Sequence, residues 1–555
     1  LLNECPVCGA EIILEVDEDE HSIIHTCSKK ACNKKYHLYF TNSEIYRFLP
    51  SLIVSTVDKL ASVALNRRFK NLIGGKLSEC PKGHGFTPIN DSCEVLETPH
   101  KSCEEKPVTL EELVEGPTLM IQDEMHLLRE GFGTIDSHFE SFLNTLLKKF
   151  SKKEFKYISM TATVAGAQNQ IDHLYGKNYF IFPGNLPRGY NEEDDFFFKF
   201  ERKNDMKIIQ RILIGLKPNL RDNQYASLLT IHHIADFIKN VREHKSIYAK
   251  KFSITEKELK VELSKYQCLL TYHGKKADVF GMNYFLHTVV TSKLEDFDIV
   301  GKPLTGDNTL TDIKDTIKSI QTFPEDHLNE RRLHSTFATS VVSHGVDIDN
   351  WNIMIFQGIT RDTSEYIQAL SRAGRRYTGL IFLWFYPNRV RDLSYYKNFN
   401  LYHSILQQKV ERTPISRWTK LGFKQTFTSI FCGTILNYVS NLVEKPLYTV
   451  EDVNNFFSET KNRELLEEFI SEAYYTEMNR IGAKWIKHKI GEEVEDRLDY
   501  LMKYSGSANK FFFPNALRDS DEKFFKTQYG MRGIQDEITL KLNDNYTNLV
   551  NKYKK

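Results

Sequence analysis

Apolar positions in this chain fall into short runs and helical repeats that alternate along its length. Thr118-Leu119-Met120-Ile121 is a compact run ending on Asp123-Glu124-Met125-His126, and it reads as a buried strand that delivers carboxylates to its tip. Phe155-Lys156-Tyr157-Ile158 alternates with strand period and runs into Ser159-Met160-Thr161-Ala162-Thr163. Between these strands Phe139, Phe142, Leu143, Leu146, Leu147 and Phe150 recur at helical spacing, which predicts an amphipathic core helix. Upstream, residues 52–55 predict a strand followed by a helix. Downstream, Cys268-Leu269-Leu270-Thr271-Tyr272-His273 is a buried strand, and Leu304-Thr305-Gly306-Asp307 is a turn leading into a helix. Residues 351–356 and 380–386 read as further parallel strands, with a helix starting near Glu365 between them. Strands alternating with helices predict a doubly wound parallel sheet with ligands at the carboxyl ends of its strands. Residues 184–195, rich in Asn, Gly and Pro, read as a linker. From residue 392 the character changes to long charged helices such as 463–489, with Leu465, Leu466, Phe469, Ile470 and Ala473 on one face. The aromatic group Phe511, Phe512, Phe513 and Tyr529 reads as core rather than as a base-stacking platform.

Length suggests three or four domains, each with its own core, since the chain has 555 residues. A hydrophobic content of 41% with 26% charged residues is ordinary for a globular protein. The net charge of +1 excludes a global electrostatic footprint for nucleic acid, so any basic groove is local. No apolar run approaches a membrane span, and a cytoplasmic location is expected.

Cysteine placement adds chemistry. Seven of the nine cysteines lie in the first 103 residues. Cys5-x₂-Cys8 and Cys27-x₄-Cys32 are two knuckles flanking a hairpin-like stretch over residues 12–24, and four thiolates at this spacing suit a tetrahedral structural Zn²⁺. A pair of disulfides is the alternative, and His25, Ser28 and His37 are competing ligands. A second, looser set is Cys80, His84, Cys93 and Cys103, with His100 nearby; it is a candidate second zinc site, against the plainer alternative of free thiols beside an unrelated His. Neither set reads as catalytic, because four protein ligands leave no open position for water.

The acidic strand tip suits Mg²⁺ and an attacking water. Arg372 and Arg375, three apart on the helix expected from Glu365, suit a triphosphate. Together they resemble motifs II and VI of superfamily-2 helicases, motors that hydrolyse ATP between two RecA-like domains. Other stretches fall in the order that resemblance requires. Ser159 to Thr163 resembles the S/T-A-T motif III, and Ser55 and Thr56 lie in a stretch that resembles motif Ib/Ic. Thr339 with Gly345-Val346-Asp347 resembles motif V. The resemblance implies an α/β fold of two RecA-like doubly wound parallel-sheet domains. It implies Asp123 as the Mg²⁺ residue, Glu124 as the group that polarises water, and His126 as a link to the second domain. Arg375 is implied as an arginine finger, with Arg372 and Gln368 sensing the same phosphate and Gly345 and Asp347 closing on the nucleotide. Ser159, Thr161 and Thr163 would couple the nucleotide to nucleic acid, which Ser55, Thr56 and Thr339 would grip by its backbone.

One motor element is missing from the sequence. No G-x-x-x-x-G-K-[ST] string occurs, and Gly74-Gly75-Lys76-Leu77 reads instead as a glycine pair closing a helix over residues 66–73. The chain opens at Leu1, so it is expected to be the later part of a longer protein whose N-terminal segment carries the phosphate loop, and to be inactive alone. Thr363-Ser364-Glu365-Tyr366-Ile367-Gln368-Ala369-Leu370-Ser371-Arg372-Ala373-Gly374-Arg375 is similar to a string in the helicase subunit of DISARM anti-phage systems. Ser371 stands where superfamily-2 motors usually carry Gly. Residues 130–138 and Asn515-Ala516-Leu517-Arg518-Asp519 extend the likeness. It implies a second defence-system subunit and DNA, single-stranded or duplex, as partners, with ATP, Mg²⁺ and Zn²⁺ as cofactors. The competing class is a non-hydrolysing clamp, derived from a helicase, that holds DNA or a partner. The expected domains are a zinc-binding insertion at 1–50 and the later part of a first RecA-like domain at 51–180. That domain carries a second Cys/His-rich insertion at about 76–117. A second RecA-like domain is expected at 196–391 and a helical accessory domain at 392–555.

Overall fold

The computed structural model describes residues 2, 4–64, 66–98, 101–161, 167–182, 202–203, 206–219, 222–290, 294, 296–321, 332–339, 348–411 and 414–503. The chain divides into two compact units, residues 1–179 with 413–555, and residues 180–412. The expected linker at 184–195 and the aromatic group at 511–529 lie outside the described residues, as does the 515–519 stretch.

Helix Glu130–Ser151 forms the centre of the first unit. Every residue from Gly133 to Leu147 is buried, so the helix is enclosed on all sides rather than amphipathic. The cover comes from helices Ala167–Tyr175, Lys420–Asn437 and Thr460–Ala473, with Ile481–Lys503 packed behind the last of these. Phe427, Ile430 and Phe431 share one apolar cluster with Phe139, Phe142 and Leu146. This corrects the expectation of a separate accessory domain from residue 392, because the later helices supply half of the first unit's core. Two polar residues of the central helix, His138 and Ser141, are bonded from residues 417–426. His138 lies 2.7 Å from the Arg417 carbonyl through Nε2 and 2.8 Å from the Thr426 hydroxyl through Nδ1, and the Arg417 guanidinium donates to Ser141 Oγ at 2.7 Å. The charged stretch 463–489 is two helices rather than one. It breaks where Tyr475 takes the left-handed φ of 52°.

Strands Leu119–Gln122 and Lys156–Ser159 pair in parallel, with Leu119 opposite Lys156 and Gln122 opposite Ser159. Their Met120 and Tyr157 side chains pack on the core, whereas Leu119, Ile121 and Ile158 point out and stay exposed. Residues 51–56 form no strand, contrary to the sequence reading. Extended backbone becomes a strand only where a neighbour takes its hydrogen bonds, and among the described residues these two strands pair only with each other. Leu52 and Val54 are accordingly 76% and 90% exposed. A 3₁₀ helix, Val57–Ala64, follows.

Gly74 and Gly75 end the 3₁₀ helix Arg67–Ile73, both at positive φ. A Cβ on Gly74 would stand 2.5 Å from the Val114 carbonyl oxygen, and Gly75 exchanges backbone hydrogen bonds with Val114. The pair closes a helix against a neighbouring strand, as read from the sequence.

In the second unit a six-stranded sheet runs in the order Arg211–Leu216, Gly379–Trp384, Ile353–Gln357, Cys268–Tyr272, Arg332–Ala338, Asp298–Leu304, with every pair parallel. Along the central strand Ile353 and Ile355 enter one apolar cluster while Met354 and Phe356 enter another, so both faces are covered. Helices Asn223–Glu243, Lys276–Phe285 and Leu310–Gln321 connect these strands. This is the α/β, parallel-sheet architecture expected of RecA-like helicase domains, joined to a helical C-terminal region.

Candidate nucleotide and nucleic-acid site, and the cysteine clusters

The acidic tip begins where strand Leu119–Gln122 ends. Asp123 is exposed, and its Oδ1 accepts a hydrogen bond from the Glu124 backbone N–H at 2.8 Å. Glu124 sits at φ 53°, a left-handed conformation that a non-glycine residue holds at a cost of about 1–3 kcal/mol. Surrounding bonds fix that turn. Met125 N–H donates to the Met160 carbonyl at 2.9 Å, and the Gln170 amide donates to the Met125 and Leu128 carbonyls at 2.7 and 2.9 Å. His126 is buried within the first unit, its Nδ1 3.2 Å from Glu124 Oε2 and 3.3 Å from Thr161 Oγ1. One imidazole therefore touches both the acidic tip and the hydroxyl element after the neighbouring strand. Ser159 meets the Tyr175 hydroxyl at 2.8 Å, and that hydroxyl also donates to Gln122. Beneath the strand, burial on the central helix holds the Asp136 carboxyl well above the usual range and pushes Glu140 up to about 7. Gln170 and Tyr175 escaped the sequence reading. Nothing in their local pattern distinguishes them from other residues of a short amphipathic helix.

The arginine element differs from expectation. Helix Thr363–Leu370 carries Gln368, which is buried, but it stops before Arg372 and Arg375. Both arginines stand in the following loop, half-buried, so they do not share a helical face. Past Leu370 the chain tightens, with Arg372 and Ala373 N–H donating to the Ala369 and Leu370 carbonyls three residues back, and Gly374 at φ 69° then turns it further. Ser371, where superfamily-2 motors usually have Gly, keeps an ordinary right-handed conformation, and its hydroxyl donates to the Gln368 carbonyl at 2.7 Å.

Thr339 is buried just past strand Arg332–Ala338, whereas Ser55 and Thr56 lie exposed on the irregular stretch before Val57. Thr163, Gly345 and Asp347 fall outside the described residues.

Hairpin Ile12–Asp17 and Ser22–Cys27 gathers the first cysteine set. Cys5, Cys8, Cys27 and Cys32 hold their sulfurs within 4.8 Å of one another, with Cys8–Cys27 at 3.5 Å and Cys5–Cys32 at 3.8 Å. All nine cysteines are free, so the disulfide alternative is not what the structure holds. Zinc–sulfur bonds of about 2.3 Å in a tetrahedron put sulfurs ~3.8 Å apart, so the donor set fits the metal. Tyr36, unnoticed in the sequence, places its hydroxyl 3.1 Å from Cys5 Sγ and helps draw that thiol down to about 6. His25 is buried with its ring against Phe40 and stands outside the ligand set.

The second set is equally compact. Cys80, His84, Cys93 and Cys103 are all buried, with ligand atoms within 4.8 Å of one another. His84 Nδ1 lies 3.7 and 3.5 Å from the Cys80 and Cys93 sulfurs. His100 is outside the described residues. Arg47 ties the two sets together, its guanidinium donating to the His21 carbonyl at 2.9 Å and the His84 carbonyl at 3.0 Å. Soft thiolates and imidazole in a closed, four-ligand arrangement could hold a structural metal and offer no open catalytic position.

Residues 251–377, which lie in the parallel-sheet unit, match the helicase conserved C-terminal domain, so the protein is helicase-like. The chain is 26% identical over 517 residues to DISARM protein DrmA of Bacillus paralicheniformis, an alignment covering 85% of this chain and 44% of that protein. It thus spans less than half the length of this relative. Among solved structures, the DUF1998 helicase MrfA bound to DNA and AMPPNP is 14% identical, with 58% of this chain and 37% of that one covered at a TM-score of 0.41. The Mycobacterium smegmatis helicase Lhr bound to ssDNA and AMP-PNP is 10% identical, covering 68% and 38% at a TM-score of 0.39. Among the described residues no helix is long and apolar enough to cross a membrane.

Proposed function

We propose that this chain is the motor part of an ATP-driven DNA translocase or helicase that acts with a second subunit in prokaryotic defence against phage DNA. The observation that carries the reading is that the helicase C-terminal match takes in Gln368, Arg372 and Arg375. The DISARM name of the relative supports the defence role and the partner subunit. Mg²⁺ bound with ATP neutralises phosphate charge, and Asp123 is the carboxylate that would hold it. Glu124 orients the attacking water and accepts its proton. His126 bridges Glu124 and Thr161, so it passes the state of the acidic tip to Ser159, Thr161 and Thr163. Arg375 neutralises charge developing on the γ-phosphate, with Arg372 and Gln368 on the same group and Gly345 and Asp347 closing on the nucleotide. Ser55, Thr56 and Thr339 hold the nucleic-acid backbone without reading bases. The two cysteine sets are structural zinc sites. The sequence holds no G-x-x-x-x-G-K-[ST] loop, so turnover needs that loop from further polypeptide.

The test uses a preparation that contains this chain and turns over ATP with DNA present. Glu124→Gln keeps nucleotide binding and lowers turnover by about 10²–10⁴, because the amide keeps the shape and cannot take a proton. Arg375→Ala lowers it by roughly 10³–10⁵ with little effect on DNA affinity. Thr339→Ala does the reverse, weakening DNA binding and DNA stimulation while sparing basal turnover. Equal DNA-dependent turnover in the wild type and the first two variants ends the motor reading in favour of a clamp.

A further inference from the structure

The loop that carries Arg372 and Arg375 is held from outside its own helix. Arg211 opens the first strand of the six-stranded sheet, and Gln210 precedes it. The Arg211 guanidinium donates through Nε to the Ala373 carbonyl at 2.7 Å and through Nη2 to the Ser371 carbonyl at 3.3 Å. The Gln210 amide donates to the carbonyls of Gly374 and Arg375 at 2.5 and 3.1 Å. Four of the five carbonyls from Ser371 to Arg375 are thereby taken by two side chains distant in sequence.

Backbone bonds complete the seat. Gly374 N–H donates to the Trp351 carbonyl and Gly379 N–H to the Gln210 carbonyl, each at 2.9 Å. Past a helix end, carbonyls normally turn to water or to a local cap. Holding them with two guanidinium nitrogens and a side-chain amide is the arrangement a segment needs when its side chains must stay in one orientation.

We infer that Gln210 and Arg211 are positioning residues that hold the arginine loop in register for phosphate contact. The inference rests on the reading of Arg375 as the phosphate-facing charge. Burial, and after it the charge of Arg375, lower the Arg211 pKa. Arg211 is therefore not a spare phosphate ligand. Its Nε and Nη2 donors are committed to the loop backbone.

Two measurements separate this inference from the reading it rests on. The first is hydrogen exchange on the chain itself. Arg211→Met and Gln210→Glu each remove two donors, and backbone amides of residues 371–378 should then exchange about tenfold faster or more. Amides of strands Cys268–Tyr272 and Ile353–Gln357 should be unchanged. Unaltered exchange at 371–378, or acceleration throughout the unit, overturns the clamp. The second is steady-state kinetics in the ATP-hydrolysing preparation. Each variant should lower kcat about tenfold or more with KM for ATP nearly unchanged, and Arg211→Lys, which restores one donor, should recover part of it. Arg211→Met combined with Arg375→Ala should be no slower than Arg375→Ala alone, since Arg211 acts through Arg375. Additive losses overturn the positioning role. If Arg375→Ala itself leaves turnover intact, the phosphate reading fails, and the exchange result decides the clamp by itself.

Discussion

At the scale of single residues, the conformations that matter most are the ones side chains normally avoid. Glu124 holds a left-handed φ of 53° at the acidic tip, and Gly374 holds 69° in the arginine loop. The two positions differ in what a Cβ meets. At Gly374 it would stand 2.7 Å from the Gly379 nitrogen and 3.0 Å from the Gln210 carbonyl oxygen, so both backbone strain and a clash oppose any side chain. Gly374→Ala should therefore cost about 1–3 kcal/mol in urea unfolding of this unit, and more than strain alone would give. Gly131 is the control. It lies in helix Glu130–Ser151 at ordinary φ, with nothing within 4 Å of its Cβ position, so Gly131→Ala should stabilise by about 0.5–1 kcal/mol. Equal effects at the two sites would show that the Gly374 turn is not constrained as described.

Elements show what the sequence could and could not announce. The strand before Asp123, the central helix, the buried strand at Cys268 and the hairpin between the cysteine knuckles were legible, because burial writes itself into period and composition. The cysteine sets were legible by spacing, and their prediction follows from closed four-ligand geometry. Cys5→Ser or Cys27→Ser should release one metal equivalent and raise hydrogen exchange over residues 4–40, while helix Glu130–Ser151 stays protected. Metal analysis that finds no zinc in the pure protein removes that reading. Residues 52–55 misled because their apolar pattern is that of a strand, whereas a strand also needs a neighbour that no local pattern reports. The end of helix Thr363–Leu370 misled for a related reason. The carbonyls past it are satisfied by Gln210 and Arg211, more than 150 residues upstream by the separations of 160 to 165 between bonded partners. The enclosure of the central helix on both sides depends on helices almost 300 residues later, as the His138–Thr426 separation of 288 shows. Its polar positions look solvent-facing in sequence and are core.

At the scale of the whole first unit, that enclosure makes stability depend on pH through buried groups of opposite sign, His138 on one side and the Asp136 and Glu140 carboxyls on the other. Burial lowers the His138 pKa from 6.5 to about 3, so the folded state keeps the ring neutral. Its contribution is fully present above pH 6.5 and is lost as pH falls towards 3, because only the unfolded chain then takes the proton. Burial raises Glu140 from 4.5 to about 7, so the folded state keeps that carboxyl protonated. Its contribution is fully present below pH 4.5 and is lost as pH rises to about 7. Each slope approaches about 1.4 kcal/mol per pH unit where only one state titrates. Between pH 4.5 and 6.5 His138 opposes the two carboxyls, and the joint contribution should fall as pH rises. Substitution should expose each limb separately. In the double variant Asp136→Asn, Glu140→Gln, denaturant-derived stability should rise with pH up to about 6.5 and then level, as His138 alone remains. In His138→Gln it should fall as pH rises from about 4.5 to 7, as the two carboxyls alone remain. The slopes carry the test, so a uniform loss of stability in either variant does not disturb it. Parallel pH profiles for the wild type and both variants would mean that these groups titrate alike in the folded and unfolded chains, and that the helix core is open to water where the structure closes it.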